Sequence, residues 1–239
     1  MPDNIYEMKN YYIPVLICIA VVSLIGAACS KEEKKYVPAG QPCASLPSFY
    51  FISKTYHTIQ LGDQCWMREN LDYGKMVDFT TKEKDNDTVE KYCYGTDINN
   101  CIKFGGLYTW GEIMKYDTLH EGIQGICPDG WHIPTDMEFF TLEHFIDSTI
   151  THLDMYGERG TNAGDRLRYA GTSGFEALMV GFINSDGSSY GMESGTNFWT
   201  SSRSNDFAAW ARYLNKQNWT SGRYHYPRTM SFSLRCIKD

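Results

Sequence analysis

The pattern of apolar and polar positions changes character three times along the chain. From Ile13 to Ala28 the run IPVLICIAVVSLIGAA is uncharged and almost wholly apolar. A membrane-spanning helix needs about twenty apolar residues, so this run is short for a permanent anchor and has the layout of a secretory signal. Residues 30–42, SKEEKKYVPAGQP, are charged and then Pro/Gly-bearing with no apolar period, which predicts a linker. From Ser48 the segments SFYFIS, TYHTIQLG and CWMRENL are aromatic and β-branched, broken by Gly and Asp, and predict short strands.

A helix start is written at Pro134-Thr135-Asp136-Met137-Glu138: Thr135 caps the first turn and Glu138 completes a capping box. Phe139, Leu142, Phe145 and Ile146 are expected on its apolar face. A second helix is predicted over Ala163–Ala170, stopped by Gly171 and Gly174. The remaining apolar segments, GFEALMVGFINSDGSSYG, NFWTSS, AAWARYLN and MSFSLRCIK, return to strands separated by Gly, Asn and Ser turns. This order predicts an α+β fold of short antiparallel strands with one or two helices and its ends close together.

Small residues Gly26, Ala27 and Ala28 precede Cys29, and the segment resembles a bacterial lipobox, although Gly26 stands where Leu is usual. The expectation is a signal peptide over 1–28, with Met8 as the effective start, and lipidation of Cys29. Residues 29–47 are then lipid anchor and linker, and 48–239 the exported domain. The Ser30–Lys35 charge run resembles the acidic signal that sends lipoproteins of Bacteroidetes to the cell surface. These features predict an outer membrane lipoprotein, exposed on the cell surface and joined to the membrane through its lipid.

The formal charge of −7 comes with no basic stripe, which argues against nucleic acid as a partner. Six cysteines follow Cys29, an even number in a chain that leaves the cytoplasm, so three disulfides are expected among fifteen allowed pairings. No CxxC pair supports a zinc site. Asp85-Asn86-Asp87 lacks the glycine and terminal glutamate of a calcium loop and reads as a solvated turn. His144 and His152 are not at ligand spacing, and Gly171-Thr172-Ser173-Gly174 misses the pattern of a nucleophile elbow. No set of acid, base and nucleophile emerges, so the chain is expected to be neither an enzyme nor the holder of a metal or other cofactor.

Aromatic residues make up 15% of the chain, enough to supply both a core and a binding surface. Trp66, Trp110, Trp131 and Trp199 sit in strand- or helix-forming segments and are expected in the core. Trp219 lies in a polar, aromatic stretch, NKQNWTSGRYHY, that a core does not need. Asn218, Trp219, Arg223, Tyr224 and Tyr226 are therefore the candidate ligand-binding residues of an exposed loop, against the plainer reading of a hairpin with no ligand role. Asp87-Thr88-Val89, Asp117-Thr118-Leu119 and Asp147-Ser148-Thr149 are similar to a short O-glycosylation acceptor motif.

Several segments together carry a family resemblance: Ile59-Gln-Leu-Gly-Asp-Gln-Cys-Trp-Met-Arg-Glu-Asn-Leu71, Phe104-Gly-Gly-Leu-Tyr-Thr-Trp110, Cys127-Pro-Asp-Gly-Trp-His-Ile-Pro-Thr-Asp136, Asn197-Phe-Trp-Thr-Ser-Ser202 and Ser233-Leu-Arg-Cys-Ile-Lys-Asp239. In order and spacing these resemble the Fibrobacter succinogenes major paralogous domain. The resemblance implies a lipoprotein domain of Bacteroidetes and related bacteria, with pairs Cys93–Cys101, Cys127–Cys236 and Cys43–Cys65. GWHIPTDMEF is also similar to a signature of formylglycine-generating-enzyme-like domains, which implies a C-type-lectin-like fold. The chemistry of those enzymes is not implied, because they use a close pair of late cysteines and this chain has only Cys236 there. The expectation is a surface-exposed lipoprotein that binds a glycan or protein ligand, or mediates adhesion, without catalysis. The alternative is a structural or accessory subunit of a cell-envelope assembly.

Overall fold

Lys54–Leu61 alternates buried and exposed side chains along most of its length, as a strand with one face on a core must. In the computed structural model, which describes residues 40–239, it is the second strand of a mostly β domain. The strands in chain order are β1 (Ser48–Phe51), β2 (Lys54–Leu61), β3 (Gln64–Met67), β4 (Lys75–Met76), β5 (Glu90–Lys91), β6 (Tyr108–Thr109), β7 (Trp131–His132), β8 (Gly157–Arg159), β9 (Phe182–Ile183), β10 (Ser189–Tyr190), β11 (Gly195–Arg203), β12 (Ala208–Asn215), β13 (Ser221–Pro227), β14 (Ser231–Phe232) and β15 (Ile237–Lys238). The helices are α1 (Ile98–Phe104), α2 (Trp110–Ile113), α3 (Asp136–Ile146) and α4 (Ala163–Leu167).

A five-stranded sheet runs β1-β2-β3-β15-β7, so the last strand lies between β3 and β7 and brings the end of the domain beside its beginning. A four-stranded sheet runs β11-β12-β13-β8, and a second four-stranded sheet, of two-residue strands, runs β10-β9-β14-β6. The disulfides are Cys43–Cys65, Cys93–Cys101 and Cys127–Cys236, the three pairs implied by the family resemblance. Trp110, Trp131 and Trp199 share one core with Phe232, while Trp66 packs with Phe139, Phe175 and Phe198 beneath α3. Two of the buried indoles donate to backbone carbonyls: Trp110 Nε1 to Thr200 O and Trp199 Nε1 to Tyr108 O, each at 2.9 Å. Burial there leaves neither N–H unpaired.

Three expectations are corrected. Residues 40–47 belong to the packed domain rather than to a linker, although they lack an apolar period. Gly40 N donates to Ser173 O at 2.9 Å, Gln60 N donates to Gln41 O at 2.6 Å, and Cys43 is covalently tied to Cys65. The signal segment, Met8 and Cys29 lie outside the described residues.

The second correction concerns α3, which starts on the expected capping box with Thr135 and Glu138 bonded both ways. Phe145, however, is 40% exposed. At about 100° per residue it stands roughly 120° away from Phe139, whereas Glu143 stands only about 40° from the buried Phe139. The buried face therefore carries a glutamate that an apolar-pattern reading discards. The third correction is α4, which ends at Leu167, because Arg168 is extended and Tyr169 N donates to Ala177 O at 2.9 Å.

Candidate functional site

The stretch expected as one exposed loop is a hairpin. Leu214 pairs with Ser221, Arg212 with Arg223, Ala211 with Tyr224 and Ala209 with Tyr226, so only residues 216–220 form the turn. Alternation along β13 then separates the five candidate residues into three places.

Arg223 is a correction: it is buried and contributes to no exposed surface. Asp136 and Glu143, seven residues apart on α3, share one helix face and meet the inward arginines of the sheet. Arg223 Nη2 donates to Asp136 Oδ2 and Arg212 Nη1 to Asp136 Oδ1, both at 2.6 Å. Arg212 Nε donates to Glu143 Oε2 at 2.9 Å, and Arg159 and Ser221 complete the shell around that carboxylate. The Arg223 guanidinium also lies 3.4 Å from the Trp210 ring centre. Burial alone would raise the Asp136 pKa, but the Arg223 hydrogen bonds and the Arg212 charge outweigh it and hold the carboxyl below its usual range. This cluster ties α3 to β12, β13 and β8.

Asn218 and Trp219 are exposed at the hairpin tip, with Trp219 62% accessible. The tip is pinned from behind: Arg168 Nη1 donates to Lys216 O at 2.6 Å, Asp165 N to Trp219 O at 3.1 Å and Lys216 N to Ser194 O at 2.9 Å. Gly164 is needed at this junction, because a Cβ there would stand 2.0 Å from Thr220 O. An open cleft of about 590 Å³ adjoins the turn, with Lys216, Arg168 and Lys103 on its walls and Phe104, Tyr169 and Met179 among its apolar lining.

Tyr224 and Tyr226 stand on the other face of the hairpin, roughly 17 Å of strand separating Ser221 from Tyr226. Tyr213 joins them there, opposite Gly222 in the register. Ring centres are 6.4 Å apart for Tyr213 and Tyr224 and 6.1 Å for Tyr224 and Tyr226. Contacts continue from Tyr226 to Phe232 at 5.0 Å, from Phe232 to Phe182 at 6.1 Å and from Phe182 to Tyr190 at 5.8 Å, while Tyr156 meets Tyr224 at 5.3 Å. Tyr224 leans over Gly222, where a Cβ would come within 2.5 Å of the ring, and its hydroxyl donates to Glu158 Oε1 at 3.2 Å. Burial raises the Tyr226 hydroxyl pKa, with the neighbouring Tyr224 adding to the effect. Both hydroxyls therefore remain neutral hydrogen-bonding groups at physiological pH.

Tyr213, Tyr156 and Glu158 escaped the sequence reading. The alternation Ala209, Ala211, Tyr213 signals a strand face, but which strand lies opposite is not written locally.

The chain matches the family described as Fibrobacter succinogenes major domain over residues 59–238. It belongs to that family. No curated protein and no solved structure matches it. The matched major domain takes in the arginine–carboxylate cluster, the pinned hairpin tip and the tyrosine face, and it begins within β2, after β1. The family's name assigns none of these an activity.

Proposed function

We propose that this protein is a surface-exposed lipoprotein whose major domain binds a glycan or protein ligand, or mediates adhesion, without transforming it. The observation that carries the reading is the row of half-buried tyrosines Tyr213, Tyr224 and Tyr226, flanked by the exposed Tyr156 and Tyr190. Such a face offers apolar ring surface together with neutral hydroxyl groups on a rigid sheet, a combination suited to stacking and hydrogen bonding with low entropy cost. Cys29 is assigned as the lipid attachment point, and the Ser30–Lys35 run as the signal for outward display. The C-type-lectin-like fold belongs to the same proposal, supported by the GWHIPTDMEF segment and by a C-terminal strand placed beside the first hairpin.

The test is binding of the full-length protein to a glycan array and to envelope proteins of neighbouring cells. Tyr213→Ala with Tyr224→Ala is expected to weaken retention by about tenfold or more. Unchanged retention in that double variant overturns the assignment of the tyrosine face. Palmitate labelling is expected to vanish in Cys29→Ser, and persistent labelling overturns the assignment of the anchor.

A further inference from the structure

A second cavity lies far along the chain from the tyrosine face, at the open edge of the five-stranded sheet. Among the described residues β1 pairs with β2 alone. Thr58 N donates to Pro47 O, and Arg68 N donates to His57 O, away from β1. In an antiparallel ladder hydrogen-bonded and non-hydrogen-bonded pairs alternate, so Ser48 and Tyr50 direct their N–H and C=O groups outward from the sheet. Phe49 and Phe51 pack against the core, while Tyr50, on the opposite face, is 71% exposed. All three nevertheless line one cavity of about 470 Å³. A space reached from both faces of a strand lies along its free edge.

The walls of this cavity combine rings with mixed polar groups. Phe49 and Trp131 have ring centres 4.8 Å apart, and Phe51 meets Tyr73 edge-on at 5.2 Å. Gln124 Nε2 donates to Asp129 Oδ1 at 2.9 Å and to Cys127 O at 3.1 Å. That geometry leaves Gln124 Oε1 and the second Asp129 oxygen as acceptors. Lys115 supplies an exposed ammonium that forms no ion pair among the described residues. Its backbone is held at φ +47°, with Tyr116 following at +60°, a strained pair of non-glycine residues.

We propose that this cavity binds a neutral saccharide of one or two rings. A sugar presents apolar C–H faces and hydroxyls that both donate and accept. The cavity answers with aromatic walls, the outward N–H and C=O groups of β1, the amide and carboxylate acceptors of Gln124 and Asp129, and the Lys115 donor. One cation and one carboxylate balance, so no net charge selects an ionic ligand. The volume falls within the range of about 300–1,000 Å³ usual for small-ligand sites. The proposal is independent of the tyrosine face, and its β1 wall precedes the matched family span.

The test is ligand-observed saturation-transfer NMR on the full-length protein with cellobiose, maltose, xylobiose and mannobiose at millimolar concentration. At least one is expected to show transfer. Asp129→Ala and Gln124→Ala, both at exposed positions, are each expected to weaken it about tenfold. Phe207→Ala, at an exposed position outside the cavity lining, is expected to leave it unchanged. The proposal is overturned by absence of transfer from all four sugars, by undiminished binding in both cavity variants, or by stronger binding of glucuronate or of an extended peptide. Loss of binding in the tyrosine double variant, with the cavity variants intact, reassigns saccharide binding to the tyrosine face and also overturns it.

Discussion

Arg223 Nη2 lies 2.6 Å from Asp136 Oδ2, joining β13 to the first turn of α3 across 87 residues of chain in a buried site. Removing one member of a buried ion pair leaves the other charged and unsolvated, a loss of about 3–5 kcal/mol. Asp136 keeps Arg212 as a partner, so Arg223→Ala is expected to lower unfolding stability by about 3 kcal/mol, the lower end of that range, in urea titration. Trp219→Ala, at the exposed tip, should change it by less than about 1 kcal/mol. Equal effects from the two substitutions would contradict the division of the hairpin into an inner and an outer set.

The pH dependence of stability should have two flanks. His132 lies 2.8 Å from Glu138 Oε1 and 2.7 Å from Asp239 Oδ1, and these partners raise its pKa against the opposing effect of burial. A raised folded-state value makes the protonated form stabilising. Its contribution is complete below the unfolded value of about 6.5 and is lost as pH rises through the higher folded value. His132→Gln is expected to flatten that decline in thermal unfolding measured across neutral pH.

On the acid side, burial would raise the Asp147 pKa, but hydrogen bonds from Thr149, Asn162 and Thr161 bring it down to about 2. Its stabilisation is present above the unfolded value of about 3.9 and is lost as pH falls from there towards the folded value. Asp147→Asn should weaken the protein at neutral pH and remove this part of the acid transition. An acid-unfolding curve unchanged by the substitution would refute the assignment.

Cys127–Cys236 spans 109 residues, whereas Cys93–Cys101 spans 8. Chain-entropy arguments give about 4–5 kcal/mol for the long crosslink and about 2–3 kcal/mol for the short one. Double serine replacement of each pair should reproduce that order in denaturant titrations, and the reverse order would show that native-state effects dominate.

Ile52, in the turn between β1 and β2, has φ +58°, an unfavourable conformation for a β-branched residue. Ile52→Gly removes strain of about 1–2 kcal/mol at a cost of about 0.5–1 kcal/mol in unfolded-chain entropy. A small rise in Tm is expected, and a fall would show that the exposed Ile52 side chain contributes more than its backbone strain costs.

The local features were legible because their causes are local. Thr135 and Glu138 specify a helix start within four residues, β-branched and aromatic runs mark β2 and β3, and tryptophans inside such runs belong to the core. An even cysteine count predicts crosslinks, while their pairing followed only from the family resemblance. By contrast, NKQNWTSGRYHY reads as a polar loop until β12 is placed beside it. That pairing turns Arg223 inward to Asp136 and sets Tyr224 and Tyr226 outward with Tyr213. The cavity at β1 likewise exists only because residues near 50, 73, 115 and 129 converge at one sheet edge. The sequence by itself determined the start of α3, the strands β2 and β3 and the tryptophans that lie within such runs, since propensity and capping act over a few residues. Tertiary structure alone decided which charges are buried and which rings share a surface, because both depend on partners tens of residues away.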